Sequence, residues 1–474
     1  MQSSRTTFEG HNGDIVEALS RFDKPALKRY LKASSRPNLD HIPGGSGMPV
    51  IGHMYWALKD FSGWLSKQYA EHGSVFKFRT PMGNNVVLLG PEANRLVLQN
   101  EGKVFSNYFA YEPGGRDLLF NHLLEMDFAN HKATRKMLQA AFKRKAIEGH
   151  MELMNPLLKE GISQWRTGHS IKAFDHVKKL LLDTGATVFL GVDIGREADI
   201  LNQAFTDLLG GGRDPLRKKE IWFSPFSKGL RGRATLEEFV FKNIPERRRM
   251  ESRDIFSQLC HARDEEGNLF SDEEIRDHII FVLFAAQDTT TSVLSAALYS
   301  LASNQDWQDE IRQEINALNT DAIEFDHIER LEKTSWTFKE ALRMHPPLSM
   351  MPRFALEEFE CNGVRIPKNT NVIVSALFTH YMPEYWSNPD KFDPLRFSPD
   401  RAEDKKDFFQ YVPFGGGAHK CLGLHFAETQ GKMFLFHLLK NYRVTKNPKL
   451  TQFKTIAFPL THSTDGLPLT FTKI

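Results

Sequence analysis

The chain has 474 residues, of which 41% are hydrophobic and 25% charged, and this composition excludes wholesale disorder, collagen and coiled-coil architectures. Its 61 basic and 59 acidic residues give a formal net charge of +2, so the balance carries no global nucleic-acid signature. The three cysteines, Cys260, Cys361 and Cys421, are too few for a framework of several disulfides, and their odd count indicates a reducing compartment.

The N-terminal part of the chain predicts a polar extension followed by a small sheet. Residues 1–40 are polar, partly helical in pattern and without a secretory signal. Ser74–Arg79 and Asn85–Leu89 predict a hairpin in a β-rich part near 74–90. The longest apolar run, Ile279–Ala286, has eight residues where a transmembrane span needs about 20, so we expect a soluble, cytoplasmic protein without a transmembrane anchor.

Helical periodicity dominates the middle of the chain, from about 92 to 345. Ser271 and Glu274 form a capping-box pattern that opens a long central helix. Before it, residues 210–233 mix basic and aromatic side chains. We interpret this segment as a solvated connection between helices, with peripheral contact to a membrane or an anionic partner as the alternative.

The C-terminal part predicts small sheets around an irregular stretch. A β-rich part near 355–376 contains Asn362-Gly363, a strong signal for a two-residue hairpin turn. A proline-rich coil, a helix after Cys421 and strands near 452–472 follow. The predicted fold class is mainly α with small β-sheets, and the lack of βαβ alternation argues against a doubly wound dinucleotide-binding fold.

The ten residues Phe414–Gly423 carry the strongest chemical signal in the chain. Three consecutive glycines let the backbone pass close to a bulky flat group and adopt positive φ where needed. Basic residues flank the Cys421 thiol and a helix begins just after it, and both effects favour the thiolate. A thiolate held in this way is a nucleophile or an iron ligand, and the glycine run disfavours a merely structural cysteine.

These residues resemble the haem loop of the cytochrome P-450 family, Phe-x-x-Gly-x-Arg-x-Cys-x-Gly, through Phe414, Gly417, Cys421 and Gly423. His419 stands where arginine is usual; histidine can still donate to a haem propionate, but its charge titrates near neutral pH. The resemblance implies haem b (iron protoporphyrin IX) as the cofactor, Cys421 as the axial iron ligand, and Phe414 and His419 as haem contacts.

The resemblance extends from about 40 to 470 and is to soluble bacterial-type members of the family. It implies a triangular helical prism, with haem between the central long helix and the helix that follows the cysteine loop. Residues 1–40 are then an N-terminal extension, and residues 41–474 are a single cytochrome P-450 domain.

Two further matches concern the haem surroundings. His131 and Arg135 are similar to the His-x-x-x-Arg helix of soluble bacterial members, where an (i, i+4) pair shares one helix face and is suited to gripping the propionates. Arg353 is a further implied propionate donor. Glu340-Ala341-Leu342-Arg343 is similar to the family's Glu-x-x-Arg helix, and Arg396 lies in a stretch like its Pro-x-Arg-Phe segment. The resemblance implies that these last three charged residues lock the coil beneath the haem and take no part in the chemistry.

The central helix carries a third match. Ala285-Ala286-Gln287-Asp288-Thr289-Thr290 is similar to the family's oxygen-activation stretch, with Ala286 in place of the usual glycine. An acid beside a hydroxyl also interrupts an otherwise apolar helix face, and a threonine hydroxyl can bond the preceding carbonyls. The resemblance implies that Asp288 and Thr289 are catalytic: Thr289 donates to the oxygen being activated and Asp288 supplies protons.

The resemblance places the substrate pocket over the haem, between the central helix and residues 105–120. The candidate wall residues are apolar or aromatic, apart from two tyrosine hydroxyls, and are Phe105, Tyr108, Phe109, Tyr111, Leu118, Phe284, Ala285 and Met350. Such a wall predicts a small hydrophobic, lipid-like substrate: a terpenoid, a steroid or a fatty acid.

The implied reaction inserts one oxygen atom from O2 into an unreactive C–H bond and reduces the other to water. The chain shows no flavin or iron–sulfur pattern, so we expect a separate ferredoxin or flavoprotein electron donor, and no nucleic-acid partner. The surface that binds the electron donor could include the following basic residues, which could equally be solvated helix charges: Lys132, Lys136, Lys143, Arg144, Lys145 and Lys420. The alternatives are a peroxide-using haem-thiolate enzyme, a non-catalytic haem-binding or sensor protein, and, last, a haem-free cysteine hydrolase.

Overall fold

The computed structural model describes residues 13–33, 37–81, 83–100, 104–111, 118–119, 121–212, 221–457 and 460–474. These residues form eighteen α-helices and twelve β-strands, so the predicted class, mainly α with small sheets, is confirmed. The helices are α1 (Gly13–Ser20), α2 (Lys24–Ala33), α3 (Met54–Lys59), α4 (Phe61–His72), α5 (Pro91–Gln99), α6 (Asn107–Tyr111), α7 (Phe128–Leu138), α8 (Arg144–Ser163), α9 (Ala173–Leu190), α10 (Arg196–Gly212), α11 (Pro225–Arg247), α12 (Ile255–His261), α13 (Asp272–Ser303), α14 (Gln305–Asn316), α15 (Phe325–Arg330), α16 (Glu332–Met344), α17 (Ala376–Thr379) and α18 (Leu424–Asn441). The strands are β1 (Val75–Thr80), β2 (Gly83–Leu88), β3 (Phe105–Ser106), β4 (Ser170–Lys172), β5 (Met351–Ala355), β6 (Phe359–Cys361), β7 (Val364–Ile366), β8 (Asn371–Val374), β9 (Tyr442–Lys446), β10 (Thr455–Ile456), β11 (His462–Ser463) and β12 (Pro468–Lys473).

The central helix α13 runs through the main core and packs against α9, α11 and α16. It starts as predicted, because the Ser271 side chain accepts from the Glu274 backbone and the Glu274 side chain accepts from the Ser271 backbone. Among the described helices it alone is long and apolar enough to cross a membrane, and 61% of its most apolar window is buried inside the protein. Burial in the protein core therefore explains the apolar residues of α13.

Four small sheets flank the helices. The largest has the strand order β1-β2-β8-β5-β3 and includes the predicted first hairpin, in which Thr80 pairs with Gly83. The predicted turn at Asn362-Gly363 is also present, with φ values of 48° and 78° that suit a two-residue hairpin loop. Strand β5 starts earlier than the predicted β-rich part near 355–376, and the sequence did not predict β9. The partner of β9 is β12, so only a distant pairing makes that segment a strand.

The extension predicted for residues 1–40 contains two consecutive helices that pack against each other, α1 and α2, which we call the N-terminal hairpin. Their apolar faces are buried against α6, α7 and the residues that end β5. The domain boundary at residues 40 and 41 stays a prediction. Within 210–233, α10 ends at Gly212 and α11 begins at Pro225, so the connection between helices is shorter than predicted; residues 213–220 lie outside the described part.

Candidate functional site

The cysteine loop has the backbone that its glycines predict. Gly415 and Gly417 have φ values of 68° and 61°, a left-handed conformation that glycine adopts without a steric penalty. The backbone N–H of Cys421 donates to the Phe414 carbonyl oxygen at 2.9 Å, which closes the loop just before α18. Gly416 is extended and lies where an added Cβ would meet the Phe409 ring at 3.2 Å. The loop is therefore fixed by local geometry.

Cys421 is exposed, whereas Cys260 and Cys361 are buried. Protein atoms nevertheless surround the Cys421 thiol closely, so it is recessed. Burial raises the pKa of Cys421, whereas the Gly423 backbone N–H and the charges of Arg135 and Lys420 lower it by less, so the pKa lies above its ordinary value. The basic flank and the start of the helix lower the pKa of Cys421 as predicted, but burial outweighs them.

Four nitrogen-bearing side chains, which we call the basic cluster, converge beside this loop: His131, Arg135, Arg353 and His419. The His131 and His419 rings stack with centroids 3.9 Å apart and planes inclined at 27°. His131 is 3% exposed and its buried Nε2 has no hydrogen-bond partner among the described residues. One Arg135 NH2 group donates to the Lys420 carbonyl oxygen at 2.6 Å, which links α7 to the cysteine loop.

The basic cluster holds its imidazoles neutral. Burial, followed by the charges of Arg135 and Arg353, lowers the pKa of His131 to about 4. Burial, followed by His131, Arg353 and Arg135, also holds the pKa of His419 well below its usual range. The two nearby guanidinium charges therefore disfavour protonation of both imidazoles.

Two residues at this site were not predicted from the sequence. Asn107 lies with its Nδ2 atom 2.7 Å from His419 Nδ1. Asp127 accepts hydrogen bonds from Ser106 Oγ at 2.5 Å and from the Asn107 and Tyr108 backbone N–H groups, and its Oδ1 lies 3.9 Å from His419 Nε2. Burial outweighs these hydrogen bonds and raises the pKa of Asp127 to about 6. An acid just before a helix is typical of an N-cap, but this side chain binds α6 instead, so no local signal identifies it.

The middle of α13 has an exposed turn. Phe284 is 36% exposed and Ala285 is also exposed, although most of the helix on either side is buried. Thr289 is half-buried and its hydroxyl donates to the Ala285 carbonyl oxygen at 2.8 Å, the hydrogen bond that the sequence predicts. The helix stays continuous through this stretch.

Asp288 lies one helical turn after Phe284 on α13, with 9% of its surface exposed. Its Oδ1 atom is 3.2 Å from Nζ of Lys178 on α9, a partner that the sequence does not identify. Next to it, the Gln287 side chain donates to the Leu181 carbonyl oxygen at 3.1 Å and fits only because residue 185 is glycine. The two adjacent polar side chains therefore attach the predicted oxygen-activation stretch to α9.

The predicted pocket wall is only partly correct. Phe284 and Ala285 face open space, Tyr111 is half-buried, and Leu118 is buried against the glycines that end α10. The remaining four predicted wall residues are at most 8% exposed and pack inside cores: Phe105, Tyr108, Phe109 and Met350.

Each of these four corrections has a packing reason. The Phe105 ring contacts the Phe359 ring at 5.1 Å inside the core beside the largest sheet, and Met350 packs in the core around α4. Tyr108 and Phe109 pack against the N-terminal hairpin. Aromatic character alone cannot distinguish a pocket wall from a core.

The charged residues to which we assigned a structural role form a fully buried network, which we call the charged lock. Glu340, Arg343 and Arg396 are each 0% exposed. Glu340 accepts from Arg343 Nε at 2.7 Å and from Arg396 Nε at 3.0 Å, while Arg396 also donates to Glu403 at 2.9 Å. His380 joins the network to the coil, since it accepts from the Val412 backbone N–H at 3.1 Å and lies 3.1 Å from the Arg343 carbonyl oxygen.

The donor set suits a haem. An exposed thiol can ligate iron, and the basic cluster can bind the two carboxylates on one edge of the macrocycle. Within this cluster the buried Nε2 of His131 has no partner, and a buried polar atom without a partner is costly unless a ligand satisfies it. Among the described residues no group of three or more histidine, cysteine and acidic side chains has the arrangement of a metal site.

Comparison with known proteins agrees with this geometry. A family model for cytochrome P450 matches residues 42–465. Cytochrome P450 136 of Mycobacterium tuberculosis is 30% identical over 91% of this chain and 88% of its own length. Pentalenene oxygenase of Streptomyces avermitilis is 29% identical over 85% of this chain and 90% of its own length.

A solved structure of a cyanobacterial protein, retinoic acid bound CYP120A1, superposes with a TM-score of 0.82 at 27% identity, covering 93% of this chain and all of that chain. The shared architecture, the matched sequence and a recessed cysteine beside a basic cluster lead to one assignment. This chain belongs to the cytochrome P450 family and is a haem-dependent monooxygenase that takes a hydrophobic substrate, O2 and electrons from a redox partner.

Proposed function

We propose that Cys421 is the axial ligand of the haem iron and that the basic cluster binds the haem propionates. The observation that carries this proposal is the accessible Cys421 thiol beside four basic side chains, one of which has an unpartnered buried nitrogen. When bound, the haem supplies O2 activation, for which the thiolate ligand provides electron density. Phe414 supports the loop through its carbonyl oxygen and belongs to the same contact surface.

The chain's own part in the reaction is to exclude water and to move protons. Thr289 Oγ1 sits beside the exposed turn at Phe284 and Ala285, so it can pass a proton into the site. Asp288, the next residue towards α9, supplies protons from a position that Lys178 holds. The attachment of Gln287 to α9 keeps both side chains at a fixed rotation about the helix axis.

We propose a terpenoid-like hydrocarbon as the substrate, rather than a steroid or a fatty acid. The exposed turn of α13 is apolar and aromatic, which suits a compact apolar ligand that brings few polar groups. Two of the similar proteins support an isoprenoid, since one is a pentalenene oxygenase and the other was solved with retinoic acid bound.

The electron donor is proposed to be a separate acidic ferredoxin or flavoprotein that docks near Arg135 and the cysteine loop. Of the predicted footprint, Lys136 pairs with Glu265, and Arg144 pairs with Glu148 and Asp326. No ion pair is described for the other four residues, which leaves this face positive: Lys132, Lys143, Lys145 and Lys420. Docking of this kind weakens steeply with salt.

We propose that the protein works in the cytoplasm as a soluble enzyme. The apolar central helix lies inside the core, which supports this location. Within 210–233, Trp222 and Phe223 are 78% and 64% exposed and remain a candidate for peripheral contact with a membrane.

Two spectra test the proposal. The reduced, CO-treated protein should show the red-shifted Soret band of thiolate-bound haem, and Cys421→Ser should lose it, with Cys361→Ser as the matched control. Terpenoids should displace the haem water and give a low-to-high-spin shift at lower concentration than steroids or fatty acids. A Cys421→Ser protein with an unchanged CO band would contradict the axial assignment, and a fatty acid that binds most tightly would contradict the substrate class.

A further inference from the structure

The N-terminal hairpin lies outside the stretch that the family model matches, yet it is part of the packed protein. Leu19 and Leu27 are 1% and 0% exposed. The Phe22 ring meets the Tyr108 ring edge-on at 5.4 Å, and the Tyr30 ring stacks on the Phe109 ring at 5.4 Å. The hairpin therefore covers α6 with aromatic side chains.

A polar contact also fixes the hairpin to the largest sheet. The Tyr30 hydroxyl donates to Asn369 Oδ1 at 2.8 Å. Asn369 lies just before β8, and its backbone N–H donates to the Ala355 carbonyl oxygen at the end of β5. The hairpin thus holds both the α6 side and the β5 side of the basic cluster.

Each segment that the hairpin covers carries a residue of the basic cluster or one of its partners. Asn107, which contacts His419, comes directly before Tyr108. Arg353 comes directly before Phe354, which packs against the hairpin. In each pair, the polar residue, Asn107 or Arg353, lies at the basic cluster. The residue that follows it, Tyr108 or Phe354, is buried against the N-terminal hairpin.

The start of α7 gives a third case. Asp127 precedes Phe128, whose φ of 51° is rare for a bulky side chain and has to be held by its surroundings. The Phe128 ring packs against the cluster of side chains that the hairpin forms. His131 lies one turn further along the same helix.

From these contacts we propose that the N-terminal hairpin is a clamp that positions the haem-propionate site. It holds the start of α6, the start of α7 and the end of β5 together, so that His419, His131 and Arg353 converge on one anion. This inference rests on the proposed propionate role of the basic cluster. Supporting residues of this kind typically change the affinity for a bound group by about 10-fold to 100-fold.

The test measures haem transfer from the full-length holoprotein to excess apomyoglobin. Leu27→Ala should speed transfer by about 10-fold, because the clamp loosens. The propionate-bending bands in the resonance Raman spectrum should shift, while the CO-bound Soret band stays in place because the Cys421 loop is untouched. The matched control is Leu65→Ala, which removes an equally buried leucine from the core around α4.

A second, milder variant covers the case in which Leu27→Ala does not fold. Tyr30→Phe removes the hydroxyl that donates to Asn369 and keeps the aromatic ring, and it should raise hydrogen exchange in the first turn of α7 and shift the same Raman bands. Two results together would overturn the clamp. The first is that haem transfer speeds up in Leu27→Ala no more than the loss of thermal stability explains, as judged from Leu65→Ala. The second is that the Raman bands do not shift in Leu27→Ala or in Tyr30→Phe.

The proposed propionate site has its own readout. His131→Phe should speed haem transfer whether or not the clamp exists. If His131→Phe changes neither transfer nor the Raman bands, the propionate assignment fails; if it changes both and the hairpin variants change neither, only the clamp fails.

Discussion

The charged lock and the basic cluster are both made of buried ionisable side chains, yet they differ in how their charges are compensated. In the lock, Glu340 accepts from two guanidinium groups and Arg396 reaches a second carboxylate on Glu403. In the basic cluster, His131 and His419 stack on each other beside two arginines, and the Asp127 carboxylate is 3.9 Å from His419. A network whose charges are paired within the protein stabilises the fold, whereas the unpartnered buried Nε2 of His131 leaves a place for a ligand.

The largest effect is expected when the lock is broken. Glu340→Gln leaves two fully buried guanidinium groups without their shared carboxylate, so the free energy of unfolding should fall by about 3–5 kcal/mol. Urea-induced unfolding of the holoprotein measures this change. The control is Glu332→Gln, an exposed residue on the same helix, and it should stay within about 0.5 kcal/mol of the parent. A loss below about 1 kcal/mol in Glu340→Gln would mean that the lock is not structural.

The pH dependence of the free energy of unfolding also tests the charged lock. Burial raises the pKa of Glu403, but hydrogen bonds from Ser387 and Arg401 outweigh it and lower this pKa from 4.5 to about 2. The folded state thus favours the ionised form, and the resulting stability is present above the unfolded pKa and is lost as pH falls from 4.5 towards 2.

The parent protein should therefore lose roughly 2–3 kcal/mol more than Glu403→Gln over that acid range. Unfolding midpoints measured at a series of pH values test this difference. Parallel pH profiles for the two proteins would show that Glu403 is not held in its ionised form by the lock.

A substitution in the basic cluster should weaken haem binding without lowering the stability of the haem-free protein, in contrast to the substitutions in the charged lock. His131→Phe keeps the ring and its stacking on His419 but removes the unpartnered nitrogen, so haem transfer to apomyoglobin should speed by about 10-fold. The haem-free protein should keep its stability or gain slightly, because a buried polar atom without a partner is removed. If His131→Phe destabilised the haem-free protein but retained haem normally, the basic cluster would stabilise the fold, as the charged lock does, and would not be a ligand site.

The smallest effect is expected from restoring the residue usual in the family. Because the pKa of His419 lies well below its usual range, His419→Arg adds a charge that histidine does not carry here, and haem should dissociate a few times more slowly at neutral and alkaline pH alike. The haem-free protein should lose less than about 1 kcal/mol through repulsion. His425→Arg, which adds the same charge at an exposed site on α18, is the control and should change neither quantity. Equal haem retention in both variants would show that residue 419 does not bind the propionates.

Sequence patterns predicted the elements whose signals are local. The Ser271 capping box, the Asn362-Gly363 turn and the glycines of the cysteine loop all depend on neighbours within a few residues, and the structure has each of them. The (i, i+3) pair of Glu340 and Arg343 is equally local. Resemblance to a family supplied the remaining roles, which local chemistry alone leaves open.

The errors concern residues whose surroundings come from distant parts of the chain. Tyr108 and Phe109 look like pocket walls until α1 and α2, about 80 residues earlier, are packed over them. The neighbours of the Cys421 thiol lower its pKa as predicted, but the protein packed around the thiol raises this pKa by more. Burial depends on the whole fold, so a short window of sequence cannot predict it.

The sequence by itself determined the start of the central helix, the Asn362-Gly363 turn, which cysteine has a chemical setting, and the family to which that loop points. Only the tertiary structure decided that Asp288 pairs with Lys178, that Asp127 binds α6 rather than capping α7, and that the N-terminal hairpin packs over α6 and Phe354. The physical reason is that backbone conformation follows from local sterics and hydrogen bonding, whereas partners, burial and charge compensation arise from contacts between segments far apart in the chain.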